Sequence, residues 1–298
     1  MNFMKWIPLY VFISAMVLIP GIFSMIRWGF LPSIGFTGGS LIEIAPKNAV
    51  NSTGLVQETV QPHMVVESVQ ISQQGVVIRG QELDQSGYDV VAQALTTGIG
   101  EFELLRFESV GPAVSEELIR RTIAAVVIVA AIILVYIGWQ FTELKYGVAA
   151  VVAMLHDSLV LLGVFSLLGH FKGIEVDVLF VTAMLTTLSF SVHDTIVVFH
   201  RIRELRRKYP RSGFVDILNT ALTETMSRSI TNSVTIIVML SALVLLGGST
   251  IFGFSLALLI GAISGTYSSA FVAVPLLLFW DKSARWLRTN RTKFRIKA

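Results

Sequence analysis

Six stretches of this chain are long and apolar enough to cross a membrane: 6–26, 123–139, 147–168, 176–199, 230–246 and 251–278. A hydrocarbon core of about 30 Å takes roughly 20 helical residues, so these runs read as transmembrane helices. Composition agrees, because only 14% of the 298 residues are charged, against about 25% in an ordinary soluble domain. Mean hydropathy is +0.71 and the pI is about 9.2. A basic pI fits nucleic acid, but here Lys and Arg collect at the ends of apolar runs, which is a membrane-topology pattern. No nucleic-acid partner is expected. The absence of cysteine excludes disulfides and thiolate metal or redox sites.

Lys and Arg also orient the chain. Residues 200–230 hold Arg201, Arg203, Arg206, Arg207, Lys208, Arg211 and Arg228, and the 281–298 tail is equally basic, whereas the short loops opposite carry only Lys172. The positive-inside rule places both termini and the 200–230 loop in the cytoplasm. Residues 1–26 form a cytoplasmic N-terminus and a retained first span, since the apolar run exceeds a signal peptide's and no A-x-A-like site follows. Residues 27–121 form one extracytoplasmic domain with six basic residues against eleven acidic, a net of −5. Strand patterns at 40–44, 64–71, 76–79 and 101–110 alternate with helical ones at 54–61 and 88–97 in the order of a ferredoxin-like α+β fold. Gln73-Gln74-Gly75 reads as the hairpin turn between the middle strands. Residues 122–280 hold spans two to six. Within the basic loop, Phe214, Ile217, Leu218, Ala221 and Leu222 share a face, so 213–226 reads as an amphipathic helix along the membrane surface. The tail, with Trp286 and Phe294, reads as a solvated topology anchor with anionic lipid as a neighbour.

One ionisable group stands out inside the fourth run. Asp194 lies seven residues before Arg201, about 10 Å deep at 1.5 Å per residue. With Thr187 and Ser191 it forms a polar stripe, which must face other helices or water. Placing an ionised Asp at mid-membrane costs about 2.5–3.5 kcal/mol on insertion scales, so its charge depends on its neighbours. Arg228, on one face with Asn232 and Thr235, is either a snorkelling anchor or the cation that reaches Asp194. Asp157, after His156, reads as a supporting acid. His193 is open between proton relay and plain hydrogen bonding, and His200 is interfacial. No ligand spacing supports a metal at either His-Asp pair, and no Walker-type motif is present. No cofactor is expected. In the last run Ala257, Gly261, Gly265, Ser269 and Ala273 recur every four residues, a small-residue seam for close helix packing.

The segments GFTGGSLIEI (35–44), RFESVGP (106–112), LHDSLVLLGVFSLL (155–168), SVHDTIVVFHRIRE (191–204), SRSITNS (227–233) and LGGSTIFGFSLALLIGAISGTYSS (246–269) together resemble the SecD/SecF family. The resemblance implies a six-helix fold of the RND superfamily with a periplasmic domain between the first two helices, in the cell inner membrane. It implies use of the proton-motive force for late preprotein translocation, with Asp194 and Arg228 as the proton-linked residues. Implied partners are a SecD-like subunit, a SecYEG-type translocon, YajC- and YidC-type proteins, unfolded preprotein and membrane lipid. Three positions depart from the family: Gly35 replaces an Asp, His193 an Asn, and His200 an acid or small residue. The rival readings are an RND-type exporter half for lipid or drug, a non-transporting scaffold, and an intramembrane metal enzyme.

Overall fold

A computed structural model describes residues 2–47, 52–71, 75–141 and 143–283, with the side chain of Ser249 excepted. Gln73 and Gln74 of the expected hairpin turn, and the expected tail from 284 onward, lie outside these residues. Two compact units divide the chain. One comprises the residues through Leu31 and from Ala125 onward, the other Pro32–Ala124.

The second unit contains a short helix α2 (Ile34–Thr37), then β1 (Gly39–Pro46), α3 (Thr53–Val60), β2 (Val66–Ile71), β3 (Val76–Gly80), α4 (Gln85–Ile99) and β4 (Phe102–Val110). The sheet order is β2-β3-β1-β4, and every pairing is antiparallel. This is the ferredoxin-like arrangement expected from the strand order. Alternate strand residues bury one face, so Ile42, Ile44, Val76 and Ile78 meet Val56 and Val60 of α3 and Val91 and Leu95 of α4. The Gly38-Gly39 pair of the FTGG segment has a local cause. Both glycines have positive φ (75° and 97°), and a Cβ on Gly39 would lie 2.5 Å from the Gly80 carbonyl oxygen.

Helix α4 begins at Asp84, whose Oδ1 accepts from the Gly87 backbone N–H at 2.7 Å. That bond, with a second from Ser86, holds the Asp84 carboxyl below its ordinary value. Its cap is therefore complete at neutral pH and fades as pH falls through the depressed folded value. Ahead of the cap, the buried Leu83 N–H donates to Ser40 Oγ at 2.7 Å and to Ser109 Oγ at 3.2 Å. Because Ser109 remains as a second acceptor, Ser40→Ala alone is expected to cost about 1 kcal/mol. Ser40→Ala with Ser109→Ala orphans the amide and is expected to cost about 1–3 kcal/mol more. Hydrogen exchange at Leu83 in the full chain reads both.

The first unit carries the membrane helices. Six helices are long and apolar enough to span: Phe3–Arg27, Pro112–Gln140, Leu144–Lys172, Val178–Lys208, Phe214–Leu246 and Thr250–Ser283. They correspond to α1 (Ile7–Arg27), α5 (Pro112–Gln140), α6 (Leu144–Lys172), α7 (Val178–Lys208), α8 (Phe214–Leu246) and α9 (Ser249–Ser268), the last prolonged by a π turn, Ser269–Ala273, and a further helical stretch. Helix α7 is capped by Asp177, whose Oδ1 accepts from the Phe180 N–H at 2.7 Å. Helix α6 ends at Gly173, in the left-handed conformation that favours glycine.

One expectation is corrected. Residues 213–226 do not form a separate helix lying on the surface. They are the first turns of a 33-residue α8 that runs unbroken through Arg228. No Gly or Pro interrupts the segment, so nothing ends the backbone ladder. The amphipathic face packs inward instead, with Ile217, Leu218, Ala221 and Leu222 in the same cluster as Phe199, Ile202 and Leu205 of α7.

Close approaches fix the bundle. An ideal Cβ on Gly163 of α6 would lie 2.6 Å from the Gly21 Cα of α1. One turn on, Ser24 Oγ and Ser166 Oγ are 2.7 Å apart, and Ser166 Oγ donates to the Gly29 carbonyl at 2.6 Å.

Candidate ion-coupling site

Asp194 sits on α7 at 7% exposure, facing α8. Ser229 Oγ donates to its Oδ2 at 3.1 Å. The two helices pack side by side, but they meet at this carboxylate through Ser229 rather than Arg228. The guanidinium of Arg228 is exposed and in no ion pair among the described residues. It lies close enough to act on Asp194 through space, as does His193. Arg228 instead lines an open cavity of about 600 Å³ with Val197, His200, Arg201, Glu204 and Glu224. Arg201 is engaged there by Glu204 at 2.5 Å and Glu224 at 2.6 Å. Asn232 and Thr235 are exposed on the same face as Arg228.

The remaining polar positions separate into two groups. His193 is exposed, so it points away from the bundle. His200 bonds Gln140 of α5. Thr187 and Ser191 are buried against α9, where Gly261 and Gly265 leave room for them. A Cβ on Gly261 would lie 2.2 Å from Thr187 Cγ2, and one on Gly265 would lie 3.2 Å from Ser191 Cβ. Ser269 opens the π turn and donates to the Thr266 carbonyl.

Ser191 turns not to Asp194 but to Asp157. The Asp157 carboxylate, 5% exposed, accepts from Ser191 Oγ, Ser264 Oγ and Ser268 Oγ, each at 2.5 Å. His156 Nδ1 lies 3.1 Å from its Oδ1. Asp157 thus ties α6 to α7 and α9. Sequence reasoning gave it a supporting role and missed Ser264 and Ser268. Their spacing of four, on one face of the last span, was the available sign. Ser229 was missed as well, although it adjoins Arg228. Among the described residues no three of His, Asp and Glu are placed to hold a metal ion.

Six membrane-spanning helices, a ferredoxin-like domain between the first two, and carboxylates buried in the bundle define a polytopic membrane protein. The chain belongs to the SecD/SecF protein export family. The family described as "Protein export membrane protein SecD/SecF, C-terminal" matches residues 90–283. "Protein translocase subunit SecF" of Thermobaculum terrenum is 39% identical over 94% of each chain. The SecF subunit of Anaerolinea thermophila is 36% identical over 93% of each. Among solved structures, SecDF of Thermus thermophilus, described as a translocon-associated membrane protein, superposes with a TM-score of 0.83 at 28% identity. The match covers 95% of this chain and 39% of that one.

Proposed function

We propose that this chain is the proton-coupled accessory subunit of a preprotein translocase, with Asp194 as the group that takes and releases the coupling proton. The observation that carries the reading is the Asp194 carboxylate buried between α7 and α8, with Ser229 as its one hydrogen-bond donor among the described residues. Protonation removes the charge that Arg228 and His193 act on and weakens the bond from Ser229. The α7–α8 contact then has two states of different energy, and a gradient that biases protonation biases the contact. Moving one charge through 100 mV supplies about 2.3 kcal/mol, enough to shift such a balance. The chain works by conformational change, with no bond chemistry on a substrate.

A SecD-type partner completes the machine. Two observations support it: the SecDF chain is far longer than this one, and the Arg228–Asn232–Thr235 face is exposed on a membrane helix. The excess of Lys and Arg in 200–230 supports a cytoplasmic-membrane location with that loop inside and the ferredoxin-like domain outside. There the domain meets the emerging preprotein beside a SecYEG-type translocon.

Preprotein translocation into vesicles containing translocon and SecD-type partner tests the reading, with and without this chain. An imposed proton gradient is expected to speed translocation only when the chain is present. An equal response in its absence rules the reading out, and no response to the gradient with the chain present favours a scaffold.

A further inference from the structure

The family resemblance and the coupling reading both centre on Asp194 and leave the second buried acid without a task. Its surroundings are specific. Three serine hydroxyls and His156 Nδ1 place four donors on the two oxygens of Asp157, which is the full acceptor capacity of an ionised carboxylate. His156 is itself buried, at 8% exposure. Its other ring nitrogen, Nε2, lies 3.1 Å from Ser14 Oγ of α1. Ser14 Oγ is 3.3 Å from the Tyr267 hydroxyl of α9, which donates to the Tyr10 carbonyl at 2.6 Å. A continuous chain of hydrogen bonds therefore runs from the carboxylate through the imidazole to α1.

We infer that His156 and Asp157 form a second proton-binding site, with His156 Nε2 as the acceptor and Ser14 as its switch. In the unloaded state the ring is neutral: Nδ1–H donates to Asp157, and Nε2 accepts the Ser14 hydroxyl hydrogen. On loading, the incoming proton bonds to Nε2, which then donates to Ser14 Oγ. The Ser14 hydroxyl rotates to donate to Tyr267, while Tyr267 keeps its bond to the Tyr10 carbonyl. Every donor in the chain has an acceptor in both states, and no heavy atom needs to move. The pair passes from net −1 to net zero, which removes an uncompensated charge from the bundle interior. The other titratable groups facing this pair from the packed helices are Tyr10 on α1 and Tyr267 on α9, while Asp194, one turn beyond Ser191 on α7, faces α8. All three are neutral or acidic, so none supplies the missing positive charge.

The inference leans on the coupling reading for its use, since a site on the α6–α7–α9 junction adds a second load to the same helix α7. Its chemistry stands apart and has its own readout. Full-length chain carrying nitrogen-15-labelled histidine is placed in vesicles with its unlabelled SecD-type partner, and ring protonation is followed by solid-state NMR from about pH 5 to about pH 8. An imidazolium resonance is expected that disappears in His156→Gln, is lost in Asp157→Asn, and persists in Asp194→Asn. Ser14→Ala leaves all three serine bonds to Asp157 intact, so it guards against loss of fold, and it is expected to weaken the resonance at acidic pH. Identical imidazolium resonances in wild type and His156→Gln overturn the inference. So does a resonance erased when sodium replaces choline, because the serine cage then holds a cation instead. Since the readout is not translocation, the site can fail while Asp194 coupling stands, and the reverse.

Discussion

Asp194→Asn is expected to abolish the acceleration of preprotein translocation by a proton gradient while leaving the gradient-independent rate in place. Asn keeps the shape of Asp and an oxygen for the Ser229 hydroxyl to donate to, so the α7–α8 contact survives. What disappears is the charge, and with it the response to the gradient that the α7–α8 contact carries. One charge moved through 100 mV is worth about 2.3 kcal/mol, roughly fiftyfold in an equilibrium constant. A wild-type stimulation of up to that size should therefore fall to none. The comparison uses vesicles with equal amounts of folded protein and a fixed translocon content. A mutant that responds as fully as wild type makes Asp194 a structural residue and removes the basis of the coupling reading. Ser229→Ala provides the graded case. It removes the donor, keeps the carboxylate, and is expected to alter the stimulation without eliminating it.

Among the membrane helices, a large effect on stability is expected at Gly163. A side chain there meets backbone, not a flexible neighbour, since its Cβ would lie 2.6 Å from the Gly21 Cα. Backbone cannot rotate aside, so α1 and α6 must separate. Separation stretches the Ser24–Ser166 bond one turn away and the Ser14–His156 bond toward the other end of α1. Gly163→Ala is expected to cost about 1–3 kcal/mol, the range for overpacking, and Gly163→Leu to exceed it and prevent accumulation of folded protein. Gly138 of α5 and Gly253 of α9 are the controls, because a Cβ at either has nothing within 4 Å. Thermal melting of the purified chain in detergent should leave Gly138→Ala and Gly253→Ala near wild type. Helix propensity alone favours Ala over Gly at all three positions, so equal losses at all three would mean that the α1–α6 contact is not what singles out Gly163.

Much of the architecture was legible because its causes are local. Run length fixes the spans, alternation fixes the strands of the ferredoxin-like domain, and the four-residue recurrence of small side chains marks a helix-packing face. The errors arise where a local signal has a distant meaning. Hydropathy treats Arg228 and its polar neighbours as a boundary, yet the backbone has no reason to stop there, and α8 continues through them. The stripe Thr187, Ser191 and Asp194 reads as one polar face, but it serves two acids: Ser191 belongs to Asp157 and Asp194 to Ser229. Periodicity names the residues that share a side and says nothing of what lies opposite. Ser264 and Ser268 went unnoticed because their partner is more than a hundred positions earlier.

The widened turn at Ser269–Ala273, which lies just ahead of Pro275, has a consequence for phase. A recurrence of four on an α-helix of 3.6 residues per turn precesses by about 40° at each step. Left uncorrected, the seam that starts at Ala257 would wind off the face it began on before reaching Ala273. A π turn accommodates an extra residue and rotates the following side chains back. Ala257, Gly261, Gly265, Ser269 and Ala273 are all buried, as are Ser255, Ala262, Ser264, Ser268 and Ala270, so the precessing row meets neighbours on more than one side of the last span. The wide turn acts as a vernier on the last step of the row, from Ser269 to Ala273, the earlier steps lying in regular helix.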